Sequence, residues 1–150
     1  MATLKYDKTG RLLFTKEMKK EYTILLPMMA NIQFRIMKGV FDEYGYNTEL
    51  LETDGPEIAQ VGLKYVHNDT CYPALLVIGQ FIHALQSGKY DLHKTALMIT
   101  QTGGGCRASN YIHFARRKQL ASLSLMPYGR RGKSGQHRAS YFLTESYLRR

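Results

Sequence analysis

The chain has 150 residues, of which 44% are hydrophobic and 22% are charged, a composition typical of one globular domain. Its formal net charge is +9, but the excess is uneven. Residues 1–117 carry 14 basic and 11 acidic side chains, whereas residues 118–150 carry 7 basic and 1 acidic. Because the body is nearly balanced, nucleic acid is not an expected partner, and binding through the basic tail is the least favoured function.

The two cysteines, Cys71 and Cys106, are too few for the disulfide framework of a small secreted domain. No apolar run approaches the roughly 20 residues of a membrane span, and the first ten residues, MATLKYDKTG, lack the apolar centre of a signal peptide. We therefore expect a cytoplasmic protein without a membrane partner, in which the cysteines are thiols or metal ligands.

The first half of the chain alternates between strand and helix patterns. Residues 1–20 are polar and lysine-rich and are expected to form an irregular lead-in. The apolar run at 22–27 ends at a proline and predicts a buried strand. Apolar side chains at 32–44 follow helical spacing, and Gly45 supplies a C-terminal stop. A second strand is predicted at 46–52.

The pattern continues with two helices and a third strand. Pro56 begins a short helix that is expected to end at residue 66. A longer helix is predicted at 74–85, with its apolar side chains on one side, and a strand follows at 95–100. A last helix is predicted from about Ser109 to Leu120. The longer helix has three candidate capping residues before it, which are Asn68, Asp69 and Thr70.

This β-α-β-α-α-β-α order predicts an α/β fold, an open, mainly parallel sheet with flanking helices, over residues 21–117. The sheet is expected to be incomplete. Residues 118–150 have glycines among arginines and serines without a sustained period, so this basic tail is expected to be disordered or not native to the fold, as a frameshift would produce.

The loop from Gln101 to Asn110 leaves the carboxyl end of the predicted third strand, where open parallel sheets bind ligands. Its glycines permit close backbone approach, and the N-terminus of the following helix favours an anion. The loop lacks the lysine-plus-hydroxyl ending of a nucleotide phosphate loop, so a plain tight turn remains an alternative. Asn110 is a candidate hydrogen-bond donor to the ligand. The glycines are Gly103, Gly104 and Gly105.

Both cysteines are predicted to lie at helix N-termini, where a thiol has a depressed pKa and is rich in thiolate. Cys106 precedes Arg107, and Cys71 is followed by Pro73 in a first helical turn. The alternative is that each cysteine is a small buried apolar residue. Zinc is disfavoured because four-ligand sites favour close cysteine or histidine pairs, and neither cysteine has such a pair nearby in sequence. His67 could lie near Cys71 but is expected to be solvated or hydrogen-bonded.

Two motifs, NDTCYP at 68–73 and TQTGGGCRASNY at 100–111, closely resemble those of the acyl-CoA dehydratase activase-related proteins of the 2-hydroxyglutaryl-CoA dehydratase activator group. The likeness extends from about Phe14 to Arg117. It is to the dehydratase-like region, which is similar to the benzoyl-CoA reductase components, and not to the ATPase modules.

The resemblance implies a bacterial iron-sulfur protein, with a 4Fe-4S cluster and low-potential electron transfer to (R)-2-hydroxyacyl-CoA dehydratase-type chemistry. It implies Cys71 and Cys106 as cluster ligands, with Arg107, Asn110 and the three loop glycines shaping the pocket. Two thiolates are fewer than the usual four, so other ligands are expected from elsewhere. The fragment is not expected to be an active enzyme alone. The alternative is a small anion- or nucleotide-phosphate-binding module.

The implied partners are dehydratase or activator subunits, or a second copy of the chain as a homodimer. ATP is expected to act only through activator modules, which this chain lacks, or through a partner. Loss of iron on changing either cysteine distinguishes the cluster from the phosphate site, since phosphate affinity is expected to survive both changes.

Overall fold

The computed structural model describes residues 5–6, 12–101 and 138–143. These residues include the three strands and three helices predicted between residues 22 and 100, together with a short N-terminal pair of antiparallel strands and a last strand. In chain order the elements are β1 (Lys5–Tyr6), β2 (Leu12–Leu13), α1 (Met18–Glu21), β3 (Thr23–Pro27), α2 (Asn31–Glu43), β4 (Asn47–Leu51), α3 (Pro56–Tyr65), α4 (Tyr72–Gln86), a turn of 3₁₀ helix (Leu92–Lys94), β5 (Thr95–Gln101) and β6 (Arg138–Leu143).

The main sheet has the strand order β4-β3-β5-β6. β3 is parallel to β4 on one side and to β5 on the other, with Thr23 opposite both Asn47 and Thr95. β6 adds to the free edge of β5 in the antiparallel direction. The structure thus confirms the α/β class and the open, mainly parallel sheet with flanking helices.

The alternation of side chains along β3 and β5 divides the core between the two faces of the sheet. On one face, Leu25 of β3 packs with the apolar side of α4. On the other face, Ile24 and Leu26 pack with α1 and α2, around the buried side chains of Met18 and Phe34. Helices on both faces bury the parallel strands from both sides, as such sheets require.

Helix boundaries follow the expected backbone chemistry. Gly45 has a φ of 77° and ends α2, and Gly88 has a φ of 73° just after α4, both in the region that glycine adopts without a steric penalty. Pro56 opens α3, where its missing N–H costs nothing. The predicted cap of α4 is wrong, because the N-cap is Cys71 and no side chain caps it.

The lead-in contributes to the core although its sequence is polar. Met18 is fully buried, and the Phe14 ring lies 6.2 Å from the rings of both Tyr22 and Tyr46. The expectation of an irregular lead-in therefore does not hold for 18–21, which form α1. These few apolar side chains are too widely spaced for a periodicity to identify them.

The tail also differs from its prediction at one place. The disorder expected after residue 117 does not extend to β6, which pairs with β5 along its six residues. The residues Tyr141 and Phe142 favour strands, but the stretch is too short to stand out from its surroundings. The rest of 118–150 and the predicted helix at 109–120 lie outside the described residues. Within those residues no helix is long and apolar enough for a membrane crossing.

Candidate functional site at the carboxyl edge of the sheet

The order of the parallel strands, β4-β3-β5, determines which strand ends are neighbours at the carboxyl edge. The chain leaves β3 through α2 on one face and returns to the far side of β3 through α3 and α4 on the other face. The strand order thus reverses between β3 and β5, and open α/β sheets bind ligands at the carboxyl ends of the strands where the order reverses. The glycine loop predicted as a ligand loop begins directly after Gln101, the last residue of β5.

Gln80 of α4 holds two of these strand ends together. Its Oε1 accepts a hydrogen bond from the N–H of Met28 at 3.0 Å, just past β3. Its Nε2 donates to the carbonyl oxygens of Leu51 at 3.3 Å and Thr53 at 2.8 Å, at and past the end of β4. Only 7% of Gln80 is exposed. A buried side-chain amide thus supplies partners to backbone groups that the sheet leaves unpaired at its edge.

Gln80 was not among the predicted site residues, although the sequence carries a signal for it. It is the single amide in the apolar run ALLVIGQFIHAL, and a polar side chain in the buried part of a helix needs hydrogen-bond partners. The sequence therefore predicts that Gln80 forms buried hydrogen bonds. Which backbone groups it binds depends on the tertiary structure.

Two further contacts fix the same edge. Arg35 near the start of α2 donates from Nε to Asn31 Oδ1 at 2.6 Å and pairs with Glu52 at 2.6 Å, which ties α2 to the end of β4. Thr100 in β5 lies with its hydroxyl 3.8 Å from Met29 Sδ, so the connection after β3 lies against the end of β5. The edge is therefore preorganised by contacts among all three parallel strands.

Cys71 lies at the N-terminus of α4, as predicted. Its carbonyl accepts hydrogen bonds from Ala74 N at 3.0 Å and Leu75 N at 3.2 Å, and its side chain is half-buried against the core. Pro73 has no N–H. The first turn of α4 therefore offers an anion fewer backbone N–H groups than a turn without proline would.

The length of α4 places Cys71 on the carboxyl side of the sheet. Gln80 contacts the ends of β3 and β4. α4 ends at Gln86, and the chain continues from there to the start of β5. Cys71 precedes Gln80 by nine residues, about 13 Å at a rise of ~1.5 Å per residue. The N-terminal half of α4 thus extends in the carboxyl direction of the strands.

Close backbone contact with α3 holds α4 in this position. A Cβ on Gly62 of α3 would lie 2.5 Å from the carbonyl oxygen of Leu75. A Cβ on Gly79 of α4 would collide with the backbone of Ile58. The two glycines let the helices approach more closely than side chains would allow, so the start of α4 has little freedom to shift.

The histidine and the tyrosines close to Cys71 in sequence differ in their exposure and in their contacts. His67 and Asp69 are both exposed, and His67 Nδ1 lies 3.2 Å from both the backbone N and a carboxylate oxygen of Asp69. His67 is therefore hydrogen-bonded, as expected. Tyr65 accepts a hydrogen bond from Gln86 Nε2 at 2.9 Å. Tyr72, by contrast, is exposed over 64% of its surface.

The other predicted site residues lie outside the described residues. They are Gly103, Gly104, Gly105, Cys106, Arg107 and Asn110. Over 5–6, 12–101 and 138–143, no group of three or more histidine, cysteine or acidic side chains is placed to hold a metal ion. Of the two predicted thiolates, the structure thus describes Cys71 alone.

The opposite, amino edge of the sheet has a polar surface of a different kind. Glu49 accepts hydrogen bonds from Lys89 Nζ and, at 2.7 Å, from Tyr90 OH. Burial acts to raise the pKa of Glu49, but these hydrogen bonds outweigh it and keep that pKa below its ordinary value. Burial raises the pKa of Tyr90, and the hydrogen bond to Glu49 raises it further. This network joins β4 to the connection before β5 and is structural.

The fold defines an α/β protein with an open, mainly parallel sheet and helices on both faces, in which Cys71 begins the helix α4. No protein-family model matches the chain, and no curated protein or solved structure matches it either. The resemblance to the acyl-CoA dehydratase activase-related proteins therefore stays a prediction from the motifs at 68–73 and 100–111.

Proposed function

We propose that the chain is an iron-sulfur-cluster-binding fragment of a protein related to the acyl-CoA dehydratase activases, with Cys71 and Cys106 as thiolate ligands. The observation that carries the proposal is the position of Cys71. Its side chain is half-buried at the start of α4, on the carboxyl side of the sheet. β5 runs towards the same side and leads directly into the segment that contains Cys106.

Chain length supports a shared site for the two cysteines. Cys106 follows Gln101 by five residues, which span at most about 17 Å when fully extended at ~3.3–3.6 Å per residue. Cys71 is about 13 Å from Gln80 along α4, and Gln80 binds the ends of β3 and β4. Both thiols are thus within reach of one region beyond the carboxyl edge.

The setting of Cys71 also suits a cluster ligand. Cys71 is half-buried next to apolar side chains. These side chains would limit the exposure of a bound cluster to solvent, which is one of the factors that set the potential of a cluster. When bound, the cluster would accept and pass on single electrons at low potential. The chain itself holds Cys71 in place, through the packing of α3 on α4 and the hydrogen bonds of Gln80.

A cluster site usually has four cysteine ligands, so the two cysteines of this chain leave further ligands to be supplied from elsewhere. We propose that dehydratase or activator subunits supply the other ligands and that ATP acts only through those subunits. A cytoplasmic, reducing location belongs to the same proposal, because an oxygen-sensitive cluster would not persist in an oxidising compartment.

The test is the iron and acid-labile sulfide content per chain after strictly anaerobic purification and reconstitution. We expect stoichiometric iron and sulfide in the wild-type chain and loss of both in Cys71→Ser and in Cys106→Ser. His67→Ala is the matched control, because His67 is exposed and close to Cys71 in sequence, and it should keep its iron.

Folding is checked by far-UV circular dichroism of each variant, since serine is close in size to cysteine and Cys71 is only half-buried. Iron that remains in both cysteine variants, or wild-type iron no higher than theirs, would contradict the proposal. Loss of iron in His67→Ala alone would assign the metal to the imidazole instead.

A phosphate-binding module is the second candidate, favoured by the glycine-rich sequence that follows β5, the strand next to β3 where the strand order reverses. It predicts binding of inorganic phosphate or a nucleotide that persists in both cysteine variants and is lost when Gly104 is replaced by a bulky residue. Isothermal titration with phosphate distinguishes it from the cluster, which predicts no such binding.

A further inference from the structure

α2 carries apolar side chains on two of its sides. One side faces the sheet, where Phe34 is buried and Met37 and Phe41 are half-buried. The other side is a row of large side chains at four-residue spacing that face solvent. This row, the α2 ridge, consists of Ile32, Ile36, Val40 and Tyr44, with exposed fractions of 71%, 63%, 47% and 68%.

The α2 ridge is large enough to form an interface. Large side chains at these exposures present on the order of 450 Å² per chain, since an aromatic side chain alone covers about 150–250 Å². Pairing two ridges would remove roughly twice that area from water, and the neighbouring Gln33, Gly39 and Glu43 would bring it past the ~1,000 Å² of a specific interface. The largest apolar patch of a monomer is commonly of this size and is often functional.

Gly39 gives the ridge a place for close contact. It lies one residue before Val40, in the middle of α2, and a Cβ added there would meet nothing within 4 Å. The glycine is therefore not needed for packing against the described part of the chain, although it costs the helix about 0.5–1 kcal/mol relative to alanine. A second helix crossing at Gly39 could approach the backbone of α2 directly.

The charges beside the ridge determine which partner fits. Arg35 and Glu43 lie one turn before and one turn after Gly39, so opposite charges are placed symmetrically about the glycine. In an antiparallel pair related by a two-fold axis at Gly39, Arg35 of each copy would lie beside the partner's Glu43. A parallel pair would place like charges together. The surface is thus complementary to itself in one orientation.

We propose that two copies of the chain associate through the α2 ridge, with the helices antiparallel, Gly39 at their crossing and Arg35 paired with the partner's Glu43. Rows at four-residue spacing on both helices interdigitate at a crossing angle of about −50°. The association does not depend on the iron-sulfur proposal, because α2 packs on the face of the sheet opposite to α4.

Sedimentation velocity of the full chain over a hundredfold range of concentration tests the association. We expect a dimer in the wild-type chain and a monomer for Ile36→Lys at the same concentrations. Leu63→Lys is the matched control, because Leu63 is exposed over 53% of its surface on α3 and should leave the dimer intact. Ile36 is 63% exposed, so its change should not alter the circular dichroism spectrum.

Charge exchange tests the orientation. Arg35→Glu should weaken the dimer at least tenfold, because it places two carboxylates beside each other across the interface, and adding Glu43→Arg should restore it. Rescue is specific to contact between chains, since Arg35 bonds Asn31 and Glu52 within its own chain. Gly39→Ala should weaken the dimer while raising the helix content of the monomer.

A wild-type chain that stays monomeric at all concentrations would overturn the proposal and leave the ridge to another segment or protein. A dimer that survives Ile36→Lys but not Leu63→Lys would also overturn it. A dimer that Ile36→Lys abolishes, without rescue of Arg35→Glu by Glu43→Arg, would reject the antiparallel pairing. Cys71→Ser should not change the association, which separates this result from the test of the cluster.

Discussion

The clearest test of the carboxyl edge is Gln80→Leu, which keeps the size of the side chain and removes its hydrogen bonds. Gln80 satisfies the N–H of Met28 and the carbonyl oxygens of Leu51 and Thr53. Each intramolecular hydrogen bond contributes about 0.5–1.5 kcal/mol, and a buried group left without a partner costs about 1–3 kcal/mol. Two of the three bonds involve partly buried groups, which water can reach in the variant.

We therefore expect Gln80→Leu to lower the free energy of unfolding by about 2–3 kcal/mol, measured by urea denaturation followed by circular dichroism. Gln60→Leu is the matched control, because Gln60 is exposed on α3 and surface changes of this kind usually stay within about 0.5 kcal/mol. If Gln80→Leu lowered the free energy of unfolding by less than about 0.5 kcal/mol, the change would be no larger than that of a surface substitution. That result would refute the role assigned to the amide of Gln80.

Gln80→Glu separates the hydrogen bonds from the packing. Its carboxylate could still accept from Met28 N, but at neutral pH it would face the carbonyl oxygens of Leu51 and Thr53. Burial and these oxygens would raise the pKa of the introduced carboxyl group in the folded state. The stability deficit should therefore be largest above that pKa and shrink as the pH falls through it. A deficit that does not change with pH would mean that the variant acts by packing alone.

Two further changes test the packing of α4 and the network at the amino edge. Gly79→Ala should lower the free energy of unfolding by about 1–3 kcal/mol, because the added methyl group collides with the backbone of Ile58; an unchanged urea midpoint would contradict the close contact. Glu49→Gln should lower the melting temperature at pH 7, since the depressed pKa of Glu49, held by Lys89 and Tyr90, means that its charged form stabilises the fold above pH 4.5. This difference should diminish as the pH falls below 4.5, and a constant difference down to about pH 3 would reject the reasoning.

Much of the fold could be predicted from periodicity. The predicted strand at 95–100 and the helix from Pro56 match β5 and α3 within one residue at each end, because long apolar patterns with glycine or proline at their ends have few alternative structures. β1 and α1 could not be predicted in this way. They have two and four residues, fewer than a period needs, and their positions depend on tertiary contacts such as those of Met18.

The candidate site could be predicted only in part. The position of Cys71 at a helix start follows from the proline two residues later, which favours a first turn. The cap was predicted wrongly because Asn68, Asp69 and Thr70 all favour the N-cap position. In the structure Thr70 instead closes a turn through the carbonyl of His67, so the turn before the helix determines which residue becomes the cap.

α2 illustrates why composition alone does not determine what an amphipathic pattern buries. Phe34 and Ile36 both fit the helical spacing, yet Phe34 is 6% exposed and Ile36 63% exposed. A sheet of short strands covers only one side of a helix, so a helix with apolar side chains on two sides must leave one of them to solvent or to another surface. The exposed side of α2 also lies next to Gly39, where a Cβ would meet nothing within 4 Å. A surface that covers this side of α2 would have to match the shape at Gly39 and the charges of Arg35 and Glu43. These residues restrict the choice of partner more than the exposed apolar side chains do.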